Sequence, residues 1–139
     1  MTWKEDFMKY RREKAAQTLE DARYLFEGKR LFSAVNRIYY ALFYEVSVLL
    51  QVRNLSSPKH TGIIALFNKH FIKTGIVEVE IGKFYSQMFD FRQQGDYETL
   101  VVFEEEKVKR WLETAEKYMK TLEACIDNET IKVSNEITG

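Results

Sequence analysis

The chain has 139 residues, of which 45% are hydrophobic and 14% aromatic, and its 21 basic and 21 acidic side chains give no net charge. This length supports one domain with a hydrophobic core, and the balanced charge excludes proteins that coat nucleic acid through a general basic excess. A lone cysteine excludes an internal disulfide, and Arg37 and Glu45 interrupt the most apolar run, so no membrane span is predicted. We therefore expect a cytoplasmic protein without a membrane segment.

The first two predicted helices lie in the N-terminal half of the chain. The first begins after Thr2, a favourable N-cap residue, and ends at Glu27, where Gly28 is a natural stop. The second begins at Ser33, ends near Gln51 and is apolar on most sides, which predicts a helix inside a bundle.

The third and fourth predicted helices are punctuated by proline and glycine. Pro58 is placed to open the third helix, which stops before Gly75. The fourth covers about Val77 to Gln94, and Gly95 is expected to end it.

The last predicted helix begins at the acidic residue Glu104 and carries the clearest apolar stripe of the chain. Strand-like alternation is confined to residues 98–103, so the pattern predicts an all-α protein, an up-and-down helical bundle. The bundle is expected to occupy residues 1–127, and residues 128–139 are predicted to be a flexible tail.

The second helix has one polar face. Arg37, Tyr40 and Tyr44 share this face at helical spacing, together with Ser33, Asn36 and Ser47. A charged side chain on so apolar a helix needs a partner or a function. Either Arg37 pairs with a carboxylate on a neighbouring helix and the tyrosines reach carbonyls or solvent, or this face binds a ligand or a partner protein.

The charge is unevenly distributed in the middle of the chain. Residues 31–75 carry five basic and one acidic side chain, whereas residues 76–106 carry two basic and eight acidic ones. This uneven charge distribution, together with the polar face of the second helix, favours self-association. We therefore expect a homodimer, or a partner protein whose surface charge is complementary.

The segment FRQQGDY crowds a cation, a carboxylate and a phenol at the end of the fourth helix. In a structural interpretation, Arg92 compensates the negative helix end, Asp96 begins the next turn and Tyr97 packs. In a functional interpretation, Arg92 offers planar donors to a phosphate and Tyr97 stacks or donates a hydrogen bond.

The segment RNLSSPKH separates Arg53 from His60 by six positions. Arginine can stabilise a phosphorane-like charge, and histidine is well matched to proton transfer near neutral pH. The same residues are also an ordinary helix start. With two histidines and one cysteine, the sequence predicts no metal site and no cofactor.

The chain contains, in this order, the segments AVNRIYYALFYEVSVLL, SSPKHTGIIALFNKHF and FRQQGDY, and then an acidic amphipathic last helix. In these segments and their order, the chain resembles the HEPN-domain family over about residues 5–126. The resemblance is to the stand-alone prokaryotic branch, which is often encoded beside a minimal nucleotidyltransferase and in several cases forms a toxin–antitoxin pair with it. It implies an antiparallel four-helix bundle with an extra short helix, commonly a homodimer. Active members are metal-independent ribonucleases with an Arg-polar-x-x-x-His type motif.

The chain departs from that motif at one position. In related members a histidine follows the arginine of the late helix, but after Arg92 this sequence has Asp96 about where the histidine should be. An aspartate of ordinary pKa is a poor general acid at neutral pH. His60 could approach Arg37 or Arg92 across the bundle and replace the missing group.

Three hypotheses follow. The first is an RNA- or nucleotide-binding and partner-interaction module, paired with a nucleotidyltransferase, in which phosphate or partner contacts Arg37, Tyr40, Tyr44 and Arg53. The second is an active ribonuclease toxin whose catalytic candidates are Arg92, Asp96, Tyr97 and His60. The third is a structural helical adaptor whose polar residues form buried pairs.

Overall fold

The computed structural model describes residues 2–97 and 102–138, without the side chains of residues 94–97 and 138. Its five helices are α1 (Trp3–Glu27), α2 (Leu31–Val52), α3 (His60–Phe67), α4 (Val79–Tyr97) and α5 (Glu105–Thr138). A π-helical turn, Asn68–Ile72, continues α3. Neither described range contains a strand, so the prediction of an all-α fold is confirmed.

The N-terminus of α1 is capped as its sequence predicts. The hydroxyl of Thr2 accepts a hydrogen bond from the Glu5 amide at 3.1 Å, and the Glu5 carboxylate accepts one from the Thr2 amide at 3.4 Å. This capping box satisfies two amides that no helical carbonyl can reach. At the other end, Gly28 is the C-cap residue.

Several helix boundaries differ from the prediction. Helix α2 begins at Leu31, two residues early, and Leu31 packs against a small apolar cluster. Helix α3 begins at His60 because Lys59 is extended and its amide donates to the Ser57 hydroxyl at 3.3 Å. Helix α4 continues through Gly95 to its last residue, since a glycine costs a helix only about 1 kcal/mol.

Residues 128–138 are helical, where the sequence predicts a flexible tail. Glu129 is only 1% exposed and accepts a hydrogen bond from Arg53 Nε at 2.8 Å, and Lys132 lies 3.2 Å from its other oxygen. Val133 packs against the core one turn later. These contacts extend α5 beyond the predicted end of the bundle at residue 127.

Helix α2 lies at the centre of the bundle and packs against α1, α4 and α5. The four long helices form the antiparallel bundle, and the shorter α3 lies against α2 and α4, as predicted. Its core consists of aliphatic and aromatic side chains from every helix, including Leu19, Ile38, Leu42, Leu49, Phe67, Phe71, Ile81, Met88, Leu122 and Ile126. In the part of the chain that the structure describes, no helix is long and apolar enough to cross a membrane.

Candidate functional site

Two adjacent tyrosines of α2 form the centre of the candidate site. Tyr39 is fully buried and Tyr40 half-buried, and their rings meet edge to face at 5.1 Å. His60, the first residue of α3, lies against both rings, with centroid distances of 5.6 Å to Tyr39 and 5.9 Å to Tyr40. The Tyr39 hydroxyl is 2.5 Å from His60 Nδ1, which is hydrogen-bonding distance.

Arg92 of α4 reaches the same two tyrosines. Its guanidinium carbon is 5.4 Å from the centre of the Tyr39 ring and 5.2 Å from that of Tyr40. Both distances are within the range of cation–π attraction. Helices α3 and α4 therefore bring His60 and Arg92 to one pair of rings, which is the approach across the bundle that the sequence analysis considered.

The environment keeps His60 neutral at neutral pH. Burial lowers the pKa of His60, and the positive charge of Arg92 lowers it further. Burial raises the pKa of Tyr39 to about 12, so its hydroxyl keeps its proton. A protonated Tyr39 can donate to Nδ1 of the neutral ring, which leaves the imidazole proton on Nε2.

Arg37 reaches Tyr40 from the opposite end of the same face. Its guanidinium carbon is 5.1 Å from the Tyr40 ring centre, and its Nε and Nη2 atoms donate to Asn36 Oδ1 at 3.1 and 2.7 Å. Among the described residues no carboxylate lies within ion-pair distance of Arg37. The carboxylate partner considered for it is therefore not found in this part of the chain.

Arg37 and Arg92 line one cleft of about 340 Å³ between α2 and α4. Asn36 lies beside them, and Phe32 and Phe103 provide apolar walls. This volume is at the lower end of the range for small-ligand pockets. Two guanidinium groups in a cleft with aromatic walls can bind a phosphate and a flat ring attached to it.

Tyr44 lies one helical turn beyond Tyr40 and contacts a different cation. The guanidinium carbon of Arg11 is 5.1 Å from its ring centre. Arg11 is not predicted from the sequence because no motif surrounds it, and Tyr39 is not predicted because it lies off the polar face. The only local signal for Arg11 is its i, i+4 spacing from Phe7, whose ring it also contacts.

Arg53 is not part of this cluster. It binds the buried carboxylate of Glu129 on α5, and its guanidinium carbon lies 5.3 Å from the Phe71 ring centre. The sequence spacing between Arg53 and His60 therefore has a structural explanation, in which the arginine anchors α5 and the histidine contacts α2. The ion pair gives Arg53 a structural role, and its candidate role in binding stays a prediction.

The remaining candidates lie at the end of α4. Asp96 and Tyr97 belong to its last turn, and their side chains lie outside the described residues. In the described ranges, no group of three or more His, Cys, Asp or Glu side chains could hold a metal ion.

Comparison with known proteins identifies relatives that match most of the chain. The model of the HEPN domain family matches residues 8–125. A "UPF0332 protein" of Thermotoga maritima is 51% identical, over 92% of this chain and 97% of its own length. Two proteins of Methanocaldococcus jannaschii are also similar. "Putative toxin MJ0142" is 32% identical over 91% of this chain and 86% of its own length, and "Putative toxin MJ0605" is 37% identical over 66% and 69%.

Proposed function

The chain belongs to the HEPN domain family, and we propose that it is a toxin-type module that binds RNA through the cleft between Arg37 and Arg92. The observation that carries this proposal is the position of both guanidinium carbons at 5.1 and 5.2 Å from one ring, that of Tyr40. Arginine binds phosphate through parallel donors, and the aromatic side chains that line the cleft, such as Phe32, offer a surface for a base. The toxin-like character is supported by the names of the two archaeal relatives.

The distribution of ion pairs supports a ligand site at Arg37. Arg12, Arg23 and Arg53 each bind a carboxylate of α5. Arg37 binds only the neutral amide of Asn36 among the described side chains, so its charge is not compensated there. A half-buried cation of this kind favours the approach of an anionic group.

RNA binding by purified variants tests the proposal. We expect Arg37→Ala and Arg92→Ala each to weaken binding of a single-stranded RNA by about tenfold or more, since a hydrogen bond to a charged group contributes about 1.5–3 kcal/mol. Arg23→Ala is the matched control, because Arg23 already binds Glu116 on the surface. Unchanged RNA binding in both cleft variants would contradict the proposal. A large loss of folding stability in Arg92→Ala would instead favour the structural adaptor.

His60 favours a second function, metal-independent RNA cleavage. In its protonated form His60 keeps the hydrogen bond between Nδ1 and the Tyr39 hydroxyl and can give its Nε2 proton to the leaving 5′-oxygen, while water takes up the proton of the attacking 2′-hydroxyl. Arg37 and Arg92 would stabilise the charge that builds on the phosphate as the 2′-oxygen attacks phosphorus. In this scheme His60 replaces the histidine that the late-helix motif lacks, and Asp96 and Tyr97 are the alternative proton-transfer and orienting groups.

Cleavage of labelled RNA in EDTA separates binding from catalysis. We expect His60→Ala to abolish cleavage while RNA binding remains, and His70→Ala, which changes the other histidine of the chain, to leave cleavage unchanged. Asp96→Asn would stop cleavage if the aspartate transfers the proton instead. Absence of cleavage by the wild type would leave RNA binding as the function.

We also propose that the protein forms a homodimer and pairs with a minimal nucleotidyltransferase, as the resemblance implies. Light scattering should give twice the chain mass of 16.5 kDa. Co-expression with a minimal nucleotidyltransferase should relieve any growth inhibition caused by the protein alone. A monomer at micromolar concentration, or growth inhibition that the partner does not relieve, would contradict these two assignments respectively.

A further inference from the structure

A second cationic position lies one helical turn along α2 from the cleft. The rings of Tyr40 and Tyr44 are 6.0 Å apart, which matches the rise of about 6 Å over four helical residues. Arg11 of α1 lies 5.1 Å from the Tyr44 ring centre and 5.2 Å from that of Phe7. Arg11, Tyr44 and Phe7 are all half-buried. A guanidinium group thus lies between aromatic rings of two helices, beside the polar face.

Arg11 differs from its chain neighbour in electrostatic environment. Arg12 points toward α5, where it binds Glu123 and Asp127. The guanidinium group of Arg11 lies over the rings of Phe7, Phe43 and Tyr44, and no carboxylate of the described residues lies within ion-pair distance of it. Of these two successive arginines of α1, Arg12 is therefore neutralised by carboxylates of α5, whereas the charge of Arg11 is available to an anion from solution.

We propose that Arg11, Phe7 and Tyr44 form a second nucleotide subsite, and that the ligand is a single-stranded RNA longer than one nucleotide. This rests on the proposed function, because the first phosphate lies in the Arg37–Arg92 cleft. The next phosphate binds Arg11, and a base stacks on Tyr44. A duplex hides the faces of its bases, so a surface on which arginines of three helices lie beside the tyrosines of α2 selects an unpaired strand.

Calorimetric titration with two ligands tests this subsite. Uridine monophosphate occupies the cleft alone, whereas an oligouridylate of about eight nucleotides reaches both subsites. We expect Arg11→Gln to leave the affinity for the monophosphate unchanged and to weaken the oligouridylate about tenfold. The slope of log Kobs against log[salt] should fall in magnitude by about 0.7 for the phosphate contact that is lost.

Further variants keep the test informative. Tyr44→Leu should also weaken the oligouridylate about tenfold through lost stacking, with an unchanged salt slope. Arg11→Lys keeps the charge and most of the packing, so it should preserve the salt slope even if Arg11→Gln folds poorly. Arg23→Gln is the α1 control, and its affinity for both ligands should match the wild type.

The outcomes separate this inference from the proposed function. If Arg92→Ala loses the oligouridylate but Arg11→Gln and Tyr44→Leu bind it like the wild type, the second subsite is wrong and the cleft remains. If the wild type binds neither ligand, the proposed function fails as well. If Arg11→Gln changes only the mass measured by light scattering, the surface is a protein contact and the RNA subsite is overturned.

Discussion

Glu45 makes the stability of this protein depend on pH in a range where most side chains do not titrate. It lies on α2 with 1% of its surface exposed, beside Glu123, Asp127 and Arg12. Burial and the neighbouring Glu123 carboxyl raise the pKa of Glu45 to about 9. Burial opposes ionisation of Glu123 too, but hydrogen bonds from Arg12 hold the pKa of Glu123 below its ordinary value. The pair therefore shares one negative charge, located on Glu123.

The sign and size of the effect follow from proton linkage. Between pH 4.5 and 9 the folded protein keeps a proton on Glu45 that the unfolded chain has lost. The contribution of Glu45 to the free energy of unfolding is therefore fully present below the ordinary pKa of a glutamate. As the pH rises from there toward 9, this contribution is lost by about 1.4 kcal/mol per pH unit. From pH 7 to 8.5 the free energy of unfolding should fall by about 2 kcal/mol. The lowered pKa of His60 and the raised pKa of Cys125 place their main contributions outside this interval.

Urea unfolding at several pH values between 7 and 8.5 measures this slope. Glu45→Gln keeps the shape of the side chain and removes the titration, so its stability should be constant over the interval and exceed that of the wild type at the upper end. Glu113→Gln, which changes an exposed carboxylate of α5, should retain the wild-type slope. A flat wild-type curve, or an equal slope in Glu45→Gln, would refute the assignment of the buried proton.

Three further changes test the site and its support. Arg53→Ala leaves a buried carboxylate with only a lysine partner, so it should lower the free energy of unfolding in urea by about 3 kcal/mol without changing RNA affinity. Loss of RNA binding at unchanged stability would instead support the predicted role of Arg53 in binding. Tyr39→Phe removes the hydroxyl from His60 Nδ1, which should raise the pKa of His60 in an NMR titration, because the neutral ring loses its donor. A lower pKa would show that the ring is the donor. Gly62→Ala places a methyl group where it clashes with the Ser57 hydroxyl. Thermal unfolding should show a free energy of unfolding lower by about 1–3 kcal/mol. An unchanged melting temperature would mean that the start of α3 adapts freely.

The features that could be predicted from the sequence are those whose causes are local. Thr2 and Glu5 are three residues apart, so their capping box can be recognised from residue type and spacing alone. The apolar stripe of α5 and the polar face of α2 follow from helical periodicity in the same way. The approach of His60 to Arg92 is different, because it depends on how α3 and α4 both pack on α2. From the sequence alone, that contact is only one of several possible arrangements.

The role of each arginine depends on where the carboxylates of α5 lie in the folded bundle. The spacing between Arg53 and His60 matches a catalytic motif, but Arg53 pairs with Glu129, which lies in a segment whose composition predicts a tail. This ion pair could therefore not be predicted from the sequence. Arg11 and Arg12 are adjacent and chemically identical, but a rotation of about 100° per residue turns only Arg12 toward α5. In a chain with no net charge, the proposed anion-binding positions are arginines that have no carboxylate partner among the described residues. On the described surface of α2 these include Arg37 and, from α1, Arg11, which is why the proposed RNA path follows the tyrosines between them.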